Sequence, residues 1–180
     1  REVDLQHLDS IIQTVGRLSN LNRGLILLSK INNRQFVDVE KLDIAELVSE
    51  SLENFEDQIR KKQLAVRVNL TQKLQLESNL NLMRILIANL IKNAVFHNIE
   101  EGYVHIDLNG QMLRIENSGL PNDHDPNLFF QRFVSDKNAD HSIGLGLSIV
   151  KEICQTLGFT ITYESIDALH ILRLDFLTKV

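Results

Sequence analysis

The sequence has little cysteine, proline and tryptophan: among 180 residues it contains one cysteine, two prolines and no tryptophan. Because Cys154 is the single thiol, no disulfide can form within the chain, and such usage is typical of a reducing compartment. A long apolar run is also lacking, since no stretch reaches the roughly 18 residues that a membrane-spanning helix needs. The chain begins at Arg1 without a methionine or a signal peptide, which favours a segment of a longer protein.

Basic residues are also fewer than acidic ones. Nineteen lysines and arginines stand against 24 acidic residues, which gives a net charge of −5 at pH 7. No basic run is present, so the composition argues against nucleic acid as a partner and against direct attachment to an acidic membrane surface. With 43% hydrophobic and 24% charged residues the composition is that of an ordinary globular protein, and the length allows one domain plus an appendage.

The N-terminal segment is predicted to form one long helix of the type found in helix bundles. Apolar residues recur at three- and four-residue spacing at Leu5, Leu8, Ile12, Val15, Leu18, Leu21, Leu25 and Leu28. A lone helix over about residues 3–32 is hardly stable in water, so this stripe needs a partner. Two alternatives stand: the helix packs on its own domain, or it dimerises or pairs with a helix outside this sequence. We therefore divide the chain into residues 1–33 and 34–180.

The segment from residue 34 to residue 97 is predicted to contain a strand, a helix, a strand and a helix. The expected bounds are 36–39, 44–62, 64–71 and about 79–97. Asp43 is expected to cap the first of these helices, with Glu46 completing a capping box.

Beyond residue 98 the pattern predicts a β-hairpin joined at Asn109-Gly110, then a long loop, a helix and two further strands. The expected bounds are 103–108 and 112–116 for the hairpin, about 144–157 for the helix, and 159–165 and 169–177 for the last strands. The loop at 118–142 holds both prolines, with a short helical piece at 128–133. This order favours an α+β fold: a two-layer α/β sandwich with a mixed, mainly antiparallel sheet and helices on one face, preceded by one long bundle-type helix.

Three polar residues, Asn89, Asn93 and His97, recur at four-residue spacing within the apolar helix at 79–97. The helical turn places this row at the edge of the apolar face. That face contains Met83, Leu86, Leu90 and Ala94. Asparagine is a poor helix former, so two of them beside a core indicate a use for their amide oxygens. Neutral oxygens suit Mg²⁺, which keeps several waters and shares phosphate ligands, so the row predicts one wall of a Mg²⁺-nucleotide site.

A glycine-rich turn, Gly144 to Leu147, opens the helix that follows the long loop. Glycine lets the backbone approach a ligand, and the free amides of a helix N-terminus favour phosphate. The alternative is a plain loop leading into a core helix, because the residues that follow are mostly apolar. The turn lacks the third glycine of a dinucleotide-binding fingerprint and the Gly-Lys pair of a P-loop.

Two other segments are candidates for a role in the same site. Ile115–Pro121 leaves a predicted strand and turns at Gly119, where a polar side chain could recognise a base edge; the alternative is an ordinary Asn-Ser-Gly turn. Phe129–Phe133 contains three phenylalanines in five residues, which indicates anchoring of the loop rather than ligand contact.

Together and in this order, these motifs resemble those of the ATP-binding domain of sensor histidine kinases, within the Bergerat-fold superfamily. The resemblance rests on NLIKNA (Asn89–Ala94), ENSG (Glu116–Gly119), FFQRF (Phe129–Phe133) and GLGLSIVK (Gly144–Lys151). They look like the family's asparagine box, first glycine box, phenylalanine box and second glycine box. The resemblance covers about Phe36 to Val180, and the residues before it look like the second helix of the family's dimerisation and phosphoacceptor hairpin.

The resemblance implies a role for each matching residue. The implied nucleotide-binding residues are Asn89, Asn93, His97, Asn117, Gly119, Gly144, Leu145, Gly146 and Leu147. Of these, Asn93 would bind Mg²⁺ and Asn89 would lie near the phosphates. Asn117 and Gly119 would lie at the adenine, and the four residues of the glycine-rich turn would form the edge of a lid over the phosphates. His97 would stack on the base or remain a plain surface histidine.

Five positions depart from the family's patterns or help to choose within the superfamily. Asn117 replaces the usual aspartate and Pro121 replaces a second glycine. Phe96 and His97 stand where a basic residue and then a tyrosine or phenylalanine are common. Asn89 stands where the superfamily's ATPases carry a glutamate as general base, and a carboxamide cannot take a proton at neutral pH. The resemblance therefore implies a protein-histidine kinase that hydrolyses ATP slowly.

None of the six histidines has the family's phosphoacceptor setting, so we expect the catalytic phosphoacceptor to lie outside this chain. The implied cofactors are ATP and Mg²⁺. The implied partners are ATP or ADP, the receiver domain of a response regulator, and a second copy of the full-length protein joined through the N-terminal helix. Nucleic acid is not expected, and the membrane is expected only through other parts of the parent protein, which places the domain at the cytoplasmic face.

Two other classes of function remain open. The departures favour a degraded nucleotide-binding domain or a non-catalytic dimerisation and docking module. An anti-sigma-type serine kinase of the same superfamily is the other alternative, and the N-terminal bundle helix argues against it.

Overall fold

The computed structural model describes residues 2–121, 125–131 and 144–177. Its helices are α1 (Glu2–Asn32), α2 (Ile44–Glu53), α3 (Glu56–Lys61), α4 (Leu80–Phe96) and α5 (Gly146–Leu157). Its strands are β1 (Glu40–Asp43), β2 (Ala65–Asn69), β3 (Gln75–Ser78), β4 (Tyr103–Asn109), β5 (Met112–Ser118), β6 (Thr160–Ile166) and β7 (Leu169–Asp175). A short 3₁₀ helix spans Pro126–Phe130.

Five strands form the main sheet in the spatial order β2, β4, β5, β7, β6. β2 and β4 run parallel, whereas the other neighbouring pairs are antiparallel. Along β4 and β5 every second residue is buried, because one face of the sheet lies under the helices. The prediction of a two-layer α+β sandwich with a mixed, mainly antiparallel sheet and helices on one face is confirmed.

Helix α4 lies at the centre of the core and packs against α2, α5 and β5. The apolar face predicted for it is buried, since Met83, Leu86, Leu90 and Ala94 are each at most 1% exposed. The helix begins after Asn79, whose side-chain oxygen accepts a hydrogen bond from Leu82 N at 3.0 Å. It ends at Phe96, with His97 as the C-cap, so the predicted helix over 79–97 is confirmed.

The single helix predicted over residues 44–62 is wrong, because the chain breaks into α2 and α3 at Asn54 and Phe55. Phe55 leaves the helical conformation, and its ring meets Phe96 edge-on with 6.2 Å between the ring centroids. This contact with α4 explains the break, which the local sequence pattern does not contain. The predicted N-cap is correct: the Asp43 side chain accepts a hydrogen bond from Ala45 N at 2.9 Å.

The strand predicted at residues 36–39 is also wrong. Strand β1 begins at Glu40 and pairs in antiparallel fashion with β3, which the sequence pattern did not predict. Both strands are four residues long and contain no β-branched residue, so neither has the alternation that identifies a strand. Their pairing with each other fixes them instead.

The hairpin between β4 and β5 is confirmed, but its turn lies one residue later than predicted. Asn109 is the last paired residue of β4 and lies opposite Met112, so the turn residues are Gly110 and Gln111. Gly110 adopts a φ of +59°, a left-handed conformation that favours glycine.

The boundaries of the C-terminal elements differ little from those predicted. α5 begins at Gly146 rather than at Gly144, because Gly144 adopts a left-handed φ of 69° that a helix cannot include. The helix ends at Leu157 as predicted, with Gly158 as its C-cap, and β6 and β7 are present. The helical piece expected at 128–133 is a 3₁₀ helix at 126–130, and residues 132 and 133 lie outside the described part of the chain.

The predicted N-terminal helix is confirmed as α1, and its C-terminal part packs against α5. Leu28 and Ile31 are buried there, and Gly24 lies so close to α5 that a Cβ atom on it would be 2.8 Å from Leu145 Cδ1. Nearer the N-terminus, Ile12, Val15 and Leu18 are exposed. Within residues 2–121, 125–131 and 144–177, no helix has the length and apolar character that crossing a bilayer requires.

The burial of Cys154 in α5 leads to a prediction about its reactivity. Burial raises the pKa of this thiol to about 12, and the thiolate is the form that reacts. We predict that the native protein does not react with a chromogenic disulfide reagent at pH 8, and that denaturant releases one reactive thiol per chain. Absorbance of the released chromophore measures both values. Rapid reaction of the folded protein would contradict this packing of α5.

Candidate functional site

The first half of the candidate site lies where α4 meets the start of α5. Asn89 is half-buried on α4, and its amide nitrogen donates a hydrogen bond to Ile85 O at 2.8 Å. That bond turns the amide oxygen towards α5, where a Cβ atom on Gly146 would lie 3.2 Å from Asn89 Oδ1. The asparagine row and the glycine-rich turn, more than fifty residues apart in sequence, are thus adjacent in space.

The other end of the asparagine row reaches the second glycine-containing segment. Asn93 is half-buried one turn beyond Asn89, and its carbonyl accepts the His97 amide at 3.1 Å as α4 ends. The carbonyl oxygen of His97 lies 3.2 Å from the position of a Cβ atom on Gly119. The row therefore runs from the start of α5 to the end of β5, so one edge of α4 is adjacent to both Gly146 and Gly119.

The N-terminus of α5 presents backbone amides rather than side-chain groups. Its N-cap is Leu145, which has no side-chain oxygen and makes no capping hydrogen bond. The Leu145 carbonyl accepts the first bond of the helix from Ile149 N at 2.9 Å, and the Ser148 hydroxyl donates to the same oxygen at 2.9 Å. The amides of Gly146 and Leu147 precede that first bond, so they lie at the positive end of the helix dipole.

Asn117 and Gly119 lie at the end of β5, on the side of the sheet that the helices cover. Asn117 is 2% exposed, and its amide nitrogen donates to Ser118 O at 2.8 Å. This bond leaves the amide oxygen as the end of the side chain that can accept from a ligand. Gly119 is closely surrounded, because a Cβ atom on it would lie 2.4 Å from His170 Cδ2 and from His170 Nε2.

A partly buried hydrogen-bond network that the sequence did not predict joins the end of α4 to the end of β5. Asn98 Oδ1 accepts from the Ser118 hydroxyl at 2.7 Å, and Asn98 Nδ2 donates to Tyr103 O at 2.8 Å. Tyr103 N donates in turn to Ser118 Oγ at 2.8 Å. Gly102 is required beside this network, since a Cβ atom there would overlap both Asn98 Oδ1 and Ser118 Oγ. The network fixes the end of α4 relative to the turn after Asn117.

Lys62 stabilises the same end of α4. Its ammonium group donates hydrogen bonds to Phe96 O and to Asn98 O, both at 2.8 Å, and so satisfies carbonyls that the helix leaves unpaired. Burial lowers the pKa of Lys62, and the nearby charge of Glu100 opposes that shift. Lys62 follows α3 and is more than thirty residues from its partners, so no local motif could indicate this role.

The described phenylalanines of the FFQRF segment anchor the 3₁₀ helix to the domain. The Phe129 ring lies 4.9 Å from the Tyr163 ring on β6, and Phe129 and Phe130 are both half-buried in the core. The interpretation of this segment as an anchor for the loop agrees with these contacts. Phe133 lies outside the described residues.

Comparisons with known proteins agree with this arrangement. The model of the family described as "Histidine kinase-, DNA gyrase B-, and HSP90-like ATPase" matches residues 78–174. Heme sensor protein HssS of Staphylococcus saprophyticus is 27% identical over 167 residues, which cover 89% of this chain and 36% of that protein. Sensor histidine kinase HprS of Escherichia coli is 27% identical over 171 residues, which cover 91% of this chain and 37% of that protein.

A solved structure is also similar. The histidine kinase AdeS of Acinetobacter baumannii superposes with a TM-score of 0.75 at 24% sequence identity, covering 96% of this chain and 84% of that chain. At this identity the likeness concerns the fold. The chain spans little more than a third of the length of the curated relatives it matches.

The Asn98 network leads to a prediction about stability. Asn98→Ala removes the acceptor of the Ser118 hydroxyl and the amide donor to Tyr103 O at a partly buried site, so we expect a loss of about 2 kcal/mol in the free energy of unfolding. Urea unfolding followed by circular dichroism measures this loss. Asn69→Ala is the matched control, because Asn69 makes one exposed hydrogen bond, to Asp107, and its removal should cost less than about 0.5 kcal/mol. Equal losses for the two variants would contradict a structural role for the network.

Proposed function

Because this chain belongs to the family of histidine kinase-, DNA gyrase B- and HSP90-like ATPases, we propose that it is the ATP-binding catalytic part of a two-component sensor histidine kinase. The observation that carries the proposal is the position of the asparagine row. Asn89 faces Gly146 at one end of the row, and the carbonyl of His97 faces Gly119 at the other. A nucleotide lying along this edge of α4 would place its phosphates at α5 and its base at the end of β5.

In this proposal the phosphates bind at the glycine-rich turn. Gly144, Leu145, Gly146 and Leu147 provide backbone amides at the positive end of α5, and Gly146 has no side chain to separate them from Asn89. The adenine amino group donates to the Asn117 oxygen, beside the backbone of Gly119. His97 lies at the same end of the row and supplies a ring for contact with the base.

The residues present fit a Mg²⁺ ion shared with the phosphates. The amide oxygens of the asparagine row are neutral, and such oxygens suit a Mg²⁺ ion that keeps several waters and shares phosphate ligands. Asn93 is the proposed ligand and Asn89 a neighbour of the phosphates; both are half-buried on one face of α4. When bound, Mg²⁺ neutralises charge on the transferring phosphoryl group.

The identity of Asn89 favours phosphoryl transfer over hydrolysis. Its amide nitrogen is held by Ile85 O, and a carboxamide has no basic site that could activate water at neutral pH. The site can therefore position ATP without providing a general base. Transfer of the γ-phosphoryl group to a histidine needs mainly such positioning, with the attacking nitrogen supplied by another part of the protein.

The proposal extends to the parent protein. Residues 1–33 are the second helix of a dimerisation and phosphotransfer hairpin, and residues 34–180 are the ATP-binding catalytic domain. The phosphoacceptor histidine lies outside this chain, and the phosphoryl group passes from it to an aspartate on a response regulator. The domain lies at the cytoplasmic face of the membrane in a homodimer of the full-length protein.

Isothermal titration with ADP in the presence of Mg²⁺ tests the proposed function. We expect saturable binding with one site per chain. Absence of binding at millimolar nucleotide would overturn the proposal and would favour a non-catalytic docking module. Formation of phosphohistidine by the full-length protein with ATP then tests the transfer step.

The asparagine row leads to a prediction about metal dependence. Asn93→Ala removes the proposed ligand, so we expect ATP affinity in Mg²⁺ to fall by about 10- to 100-fold. Affinity in excess EDTA should change little, because the lost contact acts through the ion. Titration under both conditions measures the two effects.

Asn81→Ala is the matched control, because Asn81 is an exposed asparagine in the first turn of the same helix. It should leave both affinities unchanged. If Mg²⁺ raises the ATP affinity of the Asn93→Ala variant as much as that of the wild-type protein, Asn93 is not the Mg²⁺ ligand.

A further inference from the structure

His170 on β7 holds the backbone that follows Asn117. The two residues lie directly opposite each other in the register of β5 and β7, so their side chains share the helix-covered face. The His170 Nε2 atom lies 2.9 Å from Leu120 O. Its Nδ1 atom is hydrogen-bonded to the Tyr163 hydroxyl, and the two rings are stacked with an interplanar angle of 22°.

The direction of these hydrogen bonds follows from their chemistry. A carbonyl oxygen only accepts, so Nε2 carries a proton and donates it to Leu120 O. With Nε2 as the donor, Nδ1 can accept from the Tyr163 hydroxyl. Tyr163 is 8% exposed and also touches the Phe129 ring, so the imidazole is held by a packed and hydrogen-bonded neighbour.

The same imidazole supports Gly119 from the side. A Cβ atom at Gly119 would lie 2.4 Å from two atoms of the ring, so the ring lies directly against the glycine backbone. Gly119 N also donates to Ala168 O at 2.9 Å, just before β7. Ala168 thus fixes the peptide unit before Gly119, whereas His170 contacts the glycine itself and binds Leu120 O in the peptide unit that joins Leu120 to Pro121.

The backbone held in this way also contacts the side chain of Asn117. The peptide unit that joins Ser118 to Gly119 carries Ser118 O, which accepts from the Asn117 amide nitrogen at 2.8 Å. An asparagine amide can present an oxygen or a nitrogen to a ligand, whereas an aspartate presents only oxygens. The bond to Ser118 O occupies the nitrogen and leaves the oxygen for the ligand.

We propose that His170 is a positioning residue for recognition of the purine base, acting through Leu120, Gly119 and Ser118 O on the orientation of the Asn117 amide. The oxygen-outward orientation accepts from the 6-amino group of adenine, whereas the reversed orientation would donate to the 6-oxo group of guanine. His170 therefore determines the preference for ATP over GTP. This inference rests on the proposed function, because it needs a nucleotide base at Asn117.

The test compares the affinities of Mg²⁺-ATP and Mg²⁺-GTP by titration. His170→Phe keeps an aromatic ring but removes both hydrogen bonds, and we expect the ratio of ATP to GTP affinity to fall about tenfold, the size of one hydrogen bond gained or lost. Tyr163→Phe removes only the hydroxyl and should also lower the ratio of ATP to GTP affinity. It also provides a second test if the His170 variant does not fold.

Two further variants separate positioning from general damage. His105→Phe makes the same substitution on β4, on the open face of the sheet, and should leave the ratio unchanged. Asn117→Asp combined with His170→Phe should restore the preference for ATP, because a carboxylate has no amide nitrogen to present.

The outcomes distinguish this inference from the proposed function. A wild-type protein that binds neither nucleotide contradicts the proposed function. A wild-type protein that prefers ATP, together with a His170→Phe variant of equal preference, overturns the role of His170 and leaves the proposed function intact. Equal affinities of the wild-type protein for ATP and GTP would also overturn the proposed role of His170.

Discussion

The burial of one face of α4 is the constraint on which the rest of the site depends. Met83, Leu86 and Leu90 fix the rotation of the helix, since none of them is more than 1% exposed. The rotation in turn sets Asn89 and Asn93 at the seam with α5. With a rise of about 1.5 Å per residue, the row from Asn89 to His97 extends about 12 Å, so a single rigid element connects the two glycine-containing segments.

The two ends of the row are stabilised in opposite ways. At the end of β5, Asn98, Ser118 and Lys62 satisfy one another and the carbonyls of α4, so the backbone there is fixed by hydrogen bonds within the protein. At the start of α5, Leu145 provides no side-chain cap for the first amides of the helix, which lie at its positive end. A base needs a fixed surface for its recognition, whereas a phosphate chain needs donors. The difference between the two ends matches the two parts of a nucleotide.

Periodicity in the sequence was sufficient to predict the elements that have a buried face, including α4, the hairpin of β4 and β5, and the last two strands. It did not predict β3, which is short and polar, or the break at Phe55, which depends on a ring contact with Phe96 from another helix. The asparagine row could be predicted because polar residues stood out against an apolar pattern. The contacts of Asn98 with Tyr103 and Ser118 and of His170 with Leu120 could not be predicted, because these partners are between 5 and 50 residues away and become neighbours only in the folded sheet.

Helix α1 packs on the domain along its C-terminal part and is exposed nearer its N-terminus. The two parts correspond to the two alternatives for its apolar stripe, packing on its own domain and pairing with another helix. The C-terminal part of α1 lies against the domain through Gly24, Leu28 and Ile31. The Leu145 side chain, just before the first turn of α5, packs against Gly24. The helix therefore touches the phosphate-binding turn of the proposed site directly. Ile12, Val15 and Leu18 have no such cover and are each at least 60% exposed. A lone helix with such an apolar stripe is hardly stable in water, so its exposure agrees with the proposal that residues 1–33 pair with another helix.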